Sequence, residues 1–237
     1  MNPIRKNIPN SITCLNILSG LISIICSLKG TDPLWGLKGY EWGYIFIGIA
    51  AVADFLDGFA ARLLHAYSDM GKELDSLCDL VSFGVAPAIA VFTCMETVEI
   101  GWVKWLALVI PVAGALRLAK FNIDTRQSEN FIGLPIPANA IFWIGYTYLA
   151  YTSNTMLTSP WVFAAVAVIE SWLMVSSIHL FSLKFKTWGW RENQFRWLLI
   201  ITAVGLVACM GVAGLMWLIP VYVAYGLLDS NTGNVRK

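Results

Sequence analysis

The chain has 237 residues, 57% of them hydrophobic and 13% charged, and its 16 basic and 15 acidic side chains give a formal net charge of +1. Soluble domains are about 45–50% apolar and about 25% charged, so this composition cannot coat a water-facing surface. It excludes a soluble globular enzyme, a disordered chain and a disulfide-rich secreted module, and the balanced charge leaves no electrostatic footprint for nucleic acid.

A membrane-spanning helix needs about 20 apolar residues to cross roughly 30 Å of hydrocarbon. In chain order, such stretches lie at 12–28, 43–64, 76–95, 101–121, 135–152 and 160–182. Arg5 and Lys6 ahead of the first resemble a signal sequence, but no small-residue cleavage site follows, so the segment is expected to be retained. Asn2 to Asn10 suits either a short interfacial lead-in or a plain polar cap, with Pro9-Asn10 marking helix entry. The last apolar run, Phe195 to Leu228, is too long for one crossing, and its glycines divide it around Met210–Ala213. The expectation is an all-α polytopic membrane bundle of eight transmembrane helices. Its parts are an N-terminal segment (1–11), a transmembrane core (12–183), a loop (184–194), two further helices (195–228) and a tail (229–237).

Basic residues collect in cytoplasmic loops. Eight spans with an internal N-terminus put Arg5, Lys6, Arg62, Lys72, Arg117, Lys120, Arg126, Lys184, Lys186, Arg191, Arg196, Arg236 and Lys237 on the cytoplasmic side. Only Lys29, Lys38 and Lys104 fall opposite. Both termini are therefore expected to be cytoplasmic. The five cysteines form no CxxC pair and lie mostly within apolar runs, which suits reduced core residues. His65 and His179 lack zinc-site spacing.

Most carboxylates fall where loops are expected; Asp54, Asp57, Asp75 and Asp79 do not. Asp54 and Asp57 are three apart, Asp75 and Asp79 four apart, so each pair shares one helix face. A hairpin of the second and third spans would bring all four together under the membrane surface. Such a cluster is costly near hydrocarbon, and Arg62 and Lys72 can neutralise two at most. Oxygen-only ligands favour a hard divalent cation, Mg²⁺, Mn²⁺ or Ca²⁺. Gly58 and Ala61 lie on the face of Asp54 and Arg62, where backbone can approach a phosphate and Arg62 can grip it. Gly71 clears the mouth of the third span.

The string D-x2-D-G-x2-A-R-x8-G-x3-D-x3-D, complete from Asp54 to Asp79, resembles the signature of the CDP-alcohol phosphotransferases, integral membrane enzymes of phospholipid synthesis. The resemblance implies that Asp54, Asp57, Asp75 and Asp79 hold Mg²⁺ or Mn²⁺, with two ions expected. It implies that Asp54, Gly58, Ala61, Arg62, Ser68 and Gly71 form the CDP site, and that Asp79 is the general base. It also implies a homodimer. Three further stretches, Asp75–Ala88, Arg117–Asn122 and Phe131–Ala138, are similar to the branch of the family whose acceptor is L-serine and whose donor is CDP-diacylglycerol. Arg117 and Lys120 are candidates for serine's carboxylate, although both also suit topology anchors; Asn122 suits either the pocket or a helix cap. A synthase using glycerol 3-phosphate or an inositol phosphate would need more converging cations than this loop offers. A cation- or proton-coupled transporter would place its carboxylates near the bilayer midplane and show inverted repeats.

Overall fold

The computed structural model describes residues 3–97, 101–124, 131–153, 155–183 and 189–231. Arg126, Lys184, Lys186, Arg236 and Lys237, which entered the charge count, lie outside the described residues, as do the side chains of Arg5, Lys6 and Arg191. The described chain is almost entirely helical, a bundle of apolar helices of the kind that membranes hold. Five of its helical stretches are long and apolar enough to cross a bilayer: Asn7–Ser27, Gly39–Leu63, Asp69–Cys94, Val103–Ile123 and Asn193–Asp229.

The first helix, α1 (Pro3–Ser27), runs straight through Pro9, so Pro9-Asn10 is not the helix entry. Proline withdraws one backbone donor there, and the hydroxyls of Ser11 and Thr13 bond back to the carbonyls of Asn7 and Pro9, each at 3.0 Å. A two-residue hairpin, β1 (Pro33–Leu34) and β2 (Leu37–Lys38), reverses the chain into α2 (Gly39–Leu63). Small residues let α1 and α2 approach closely. Ser23 Oγ donates to the Gly43 carbonyl at 2.8 Å, and a Cβ on Gly43 would sit 2.3 Å from Ser27 Oγ.

The next rod consists of α3 (Asp69–Asp79), a π-helical segment (Leu80–Val85) and α4 (Ala86–Cys94). It is the central element: 67% of its most apolar window is buried, against 33% in α1 and 28% in α2. The π segment is held from two sides. Ser82 Oγ donates to the Asn16 carbonyl on α1 at 3.0 Å, and Asn139 Nδ2 donates to the Phe83 carbonyl at 3.4 Å. A tight turn (Val103–Leu108) then leads into α5 (Val109–Ile123), followed by α6 (Ile136–Thr152) and α7 (Pro160–Val175). Trp143, Tyr146, Ile110 and Phe83 fill the core between them.

Two short strands, β3 (Phe131–Ile132) and β4 (His179–Leu180), pair antiparallel, Phe131 opposite Leu180 and Ile132 opposite His179. Beyond them α8 (Trp190–Met210) and α9 (Leu215–Asn231) are separated by a 3₁₀ turn at Gly211–Gly214. Gly211 has φ +60, and a Cβ on Gly214 would lie 2.4 Å from the Leu206 carbonyl oxygen. Only glycine permits that reversal. It folds α9 back along α8, with Thr202 and Tyr225 hydroxyls 3.4 Å apart, and α9 also packs on α6.

Candidate active site

The site is built where α2 ends and α3 begins. Ser68 caps α3, its Oγ accepting from the Gly71 N–H at 3.0 Å. A Cβ on Gly71 would press on Ser68 Oγ at 3.0 Å and Asn10 Oδ1 at 3.1 Å, so glycine lets the start of α3 and α1 meet. Asp54 and Asp57 stand on the last turns of α2, Asp75 and Asp79 on α3.

Carboxylate oxygens of Asp54, Asp57 and Asp75 lie within 4.8 Å of one another. Asp79 stands outside that trio, buried, with its Oδ1 accepting from Asn16 Nδ2 at 3.1 Å. Among the described residues no ion pair joins Arg62 or Lys72 to any of the four. Arg62 is exposed, and Lys72 donates to the Asn122 carbonyl at 2.8 Å. Asp57 Oδ2 is buried without a hydrogen-bond partner, and so is Asn16 Oδ1. Buried, crowded carboxylates without cationic partners are unfavourable. The donor set therefore fits a hard divalent cation, which takes carboxylate and amide oxygens.

Carboxylates of the second and third spans meet directly, Asp54 and Asp57 with Asp75, while Asp79 stands apart. α1 packs along α2 and against α3, and the backbones of α2 and α3 stay further apart. The carboxylates face each other across a space that α1 closes from one side, and Asn16 comes from that helix. Asn16 was not among the residues singled out from sequence, because nothing distinguishes one asparagine in an apolar helix until its partner is known. Glu170 is a second omission. The sequence reading counts it with the loop acids, yet it lies on α7, 4% exposed, with Oε2 unpartnered. Its position inside the apolar run between Pro160 and Val175 was the available signal.

Gly58 faces open space: a Cβ there would meet only Arg62 Nη1, at 3.7 Å. Ala61 is partly buried beside it. One residue around the helix from this small-residue face, Phe55, Phe59 and Leu63 form an exposed apolar stripe on α2.

Arg117 and Lys120 meet at a cavity of about 470 Å³ lined also by Asp124, Ile132, Met174 and Ser176. Arg117 is 4% exposed; its Nε donates to the Leu134 carbonyl at 3.1 Å, and its guanidinium lies 5.2 Å from the Phe121 ring and 5.9 Å from the Phe131 ring. Lys120 Nζ donates to the Val175 carbonyl at 3.1 Å. Arg117 is within electrostatic reach of Asp79. Asn122 lies apart from the cavity lining. Its Nδ2 donates to Ser76 Oγ at 2.9 Å, tying α5 to α3 beside Asp75.

The class of protein that this bundle and acidic site define is met by comparison with known families. The family described as CDP-alcohol phosphatidyltransferase matches residues 6–180, and the chain belongs to that family. Relatives include a CDP-diacylglycerol–serine O-phosphatidyltransferase of Mycobacterium leprae, 38% identical over 180 residues, covering 72% of this chain and 57% of the relative. The enzyme of the same name from Methanocaldococcus jannaschii is 32% identical over 242 residues, covering 99% of this chain and 100% of the relative. An archaetidylserine synthase of Methanothermobacter thermautotrophicus is 34% identical over 177 residues, covering 72% and 68%. The chain thus spans little more than half of the first relative and the whole length of the second.

Proposed function

We propose that the protein transfers the phosphatidyl group of CDP-diacylglycerol to the hydroxyl of L-serine, yielding phosphatidylserine and CMP. The observation that carries this reading is a cavity lined by Arg117 and Lys120 beside Asp124, with Arg117 itself within electrostatic reach of the Asp79 carboxylate. Serine, which brings a carboxylate and a nucleophilic hydroxyl together, fits that pairing. Serine is also the part shared by the names of the three relatives, two of which name a phosphatidyl group and one an archaetidyl lipid.

Asp54, Asp57, Asp75 and Asp79 would hold two divalent ions, Mg²⁺ or Mn²⁺. Such ions, when bound, neutralise charge on a transferring phosphate. The open face at Gly58 and Ala61 admits the CDP portion, and the exposed Arg62 donates to its phosphates. Ser68 and Gly71, at the N-terminus of α3, border the same phosphates or the ribose. Arg117 and Lys120 grip the serine carboxylate. Asp79, oriented by Asn16, takes the hydroxyl proton as the serine oxygen forms its bond to the lipid-bearing phosphorus. The bond from that phosphorus to the CMP oxygen breaks, and CMP leaves carrying the electron pair. Asn122 fixes the distance between the acceptor cavity and Asp75 through Ser76.

The same reading has eight membrane crossings, both termini cytoplasmic and the active site opening to the cytoplasm. It keeps the parts 12–183 as catalytic core and 195–228 as two added helices. The clustering of basic residues and the four aspartates at one end supports it. Assembly as a homodimer rests on the family resemblance. Purified protein given CDP-diacylglycerol, Mg²⁺ or Mn²⁺, and each alcohol in turn is expected to release CMP with serine. Release with glycerol 3-phosphate or an inositol phosphate and none with serine would overturn the reading.

A further inference from the structure

The family match ends at residue 180, where a set of contacts from the two last helices begins. Phe181 and Ser182 are buried immediately after β4, and their carbonyls need partners there. Tyr222 on α9 donates its hydroxyl to the Phe181 carbonyl at 2.7 Å, with the two rings 5.2 Å apart edge to face. Arg196 on α8 donates from Nε to the Ser182 carbonyl at 2.7 Å, and its Nη1 is held by Asn193 Oδ1 at 3.1 Å. Gly226 lets α9 lie flush on the strand, since a Cβ there would come within 2.4 Å of Leu180 Cδ2.

What these contacts hold is the wall of the cavity. Leu180 pairs with Phe131 and His179 with Ile132, which lines the cavity. Gly133 N–H donates to the Ile178 carbonyl at 2.8 Å, and the next carbonyl, that of Leu134, accepts from Arg117. A ribbon of two-residue strands does not hold itself together in isolation. Beside the Leu134 N–H bond to the Leu173 carbonyl of α7, α8 and α9 supply the support at its far end.

We infer that α8 and α9 position the acceptor pocket, with Tyr222 and Arg196 as positioning residues that set the affinity for the acceptor carboxylate through the β3–β4 ribbon and Arg117. The inference rests on the proposed serine transfer for its kinetic readout. Tyr222→Phe and Arg196→Gln are each expected to raise the KM for serine roughly five- to tenfold, the effect of one lost buried hydrogen bond. The KM for CDP-diacylglycerol should stay unchanged, and Arg196→Lys should recover part of the loss. Thr202→Val, which removes an α8–α9 contact away from the ribbon, should leave both constants unchanged. Hydrogen exchange at residues 131–134 is expected to quicken in Tyr222→Phe and Arg196→Gln and not in Thr202→Val. Equal effects on both substrates, or unaltered serine KM with unaltered exchange, would overturn the inference. A parent protein that releases no CMP with serine would sink the serine reading, and the exchange measurement would still decide whether the last helices brace this wall.

Discussion

Asp79 owes its orientation to one donor, the Asn16 amide on a different helix. The two residues should therefore fail in different ways. Asp79→Asn removes the proton acceptor while leaving the Asp54, Asp57 and Asp75 trio intact. CMP release is expected to fall by a factor of about 10²–10⁴, with Mn²⁺ still bound by equilibrium dialysis. Unchanged CMP release would remove Asp79 as base. Asn16→Leu keeps the base but frees its carboxylate, and should lower kcat by roughly tenfold with little change in either KM. The aspartate spacing was legible in the sequence because 3- and 4-residue offsets fix a helix face by themselves. Asn16 was not legible, since its partner is 63 positions away and only the packing of α1 on α3 joins them. Glu170 was visible but misplaced, grouped with loop acids despite standing in an apolar run.

At the scale of elements, two glycines on the route to the site make opposite predictions. Gly58 has open space before it, so Gly58→Leu should fit the fold without clash and occupy room meant for ligand. The KM for CDP-diacylglycerol is expected to rise tenfold or more, roughly one lost contact's worth of binding, with no loss of thermal stability. Gly133 has φ +80, and a Cβ there would lie 2.4 Å from the Met174 carbonyl oxygen. Gly133→Ala should lower stability by roughly 1–3 kcal/mol and show as a reduced thermal midpoint together with a raised serine KM. Helix positions were readable from apolar runs, and the break in the last run, expected around Met210–Ala213, falls at Gly211–Gly214. The π segment at Leu80–Val85 was not readable. Its widened turn is stabilised by Ser82 and by Asn139 from another helix, and tertiary partners leave no local pattern.

Across the whole molecule, the metal reading has a global consequence. Crowded carboxylates joined by no cationic side chain among the described residues should repel until an ion is bound, so chelation is expected to abolish CMP release and lower the thermal midpoint. Added Mg²⁺ or Mn²⁺ should restore both, and stability should grow with the logarithm of ion concentration above its Kd. Full activity and an unmoved midpoint in chelator would refute it. Membrane class, charge bias and the acidic motif were all legible from composition and spacing. The packing of α1 along both α2 and α3, and the hold of α8 and α9 on a ribbon they follow in sequence, were not, because packing order is not written in hydropathy. On the proposed reading, the stripe of Phe55, Phe59 and Leu63 on α2, next to the face of Asp54, Gly58 and Arg62, would set the dimensionality of the chemistry. A donor whose chains lie along that stripe reaches the carboxylates without leaving the bilayer, whereas serine arrives from water. The enzyme would then sense its lipid substrate as a surface mole fraction. Diluting CDP-diacylglycerol with inert lipid or detergent at constant bulk concentration should slow the reaction, and diluting the aqueous volume should matter only for serine.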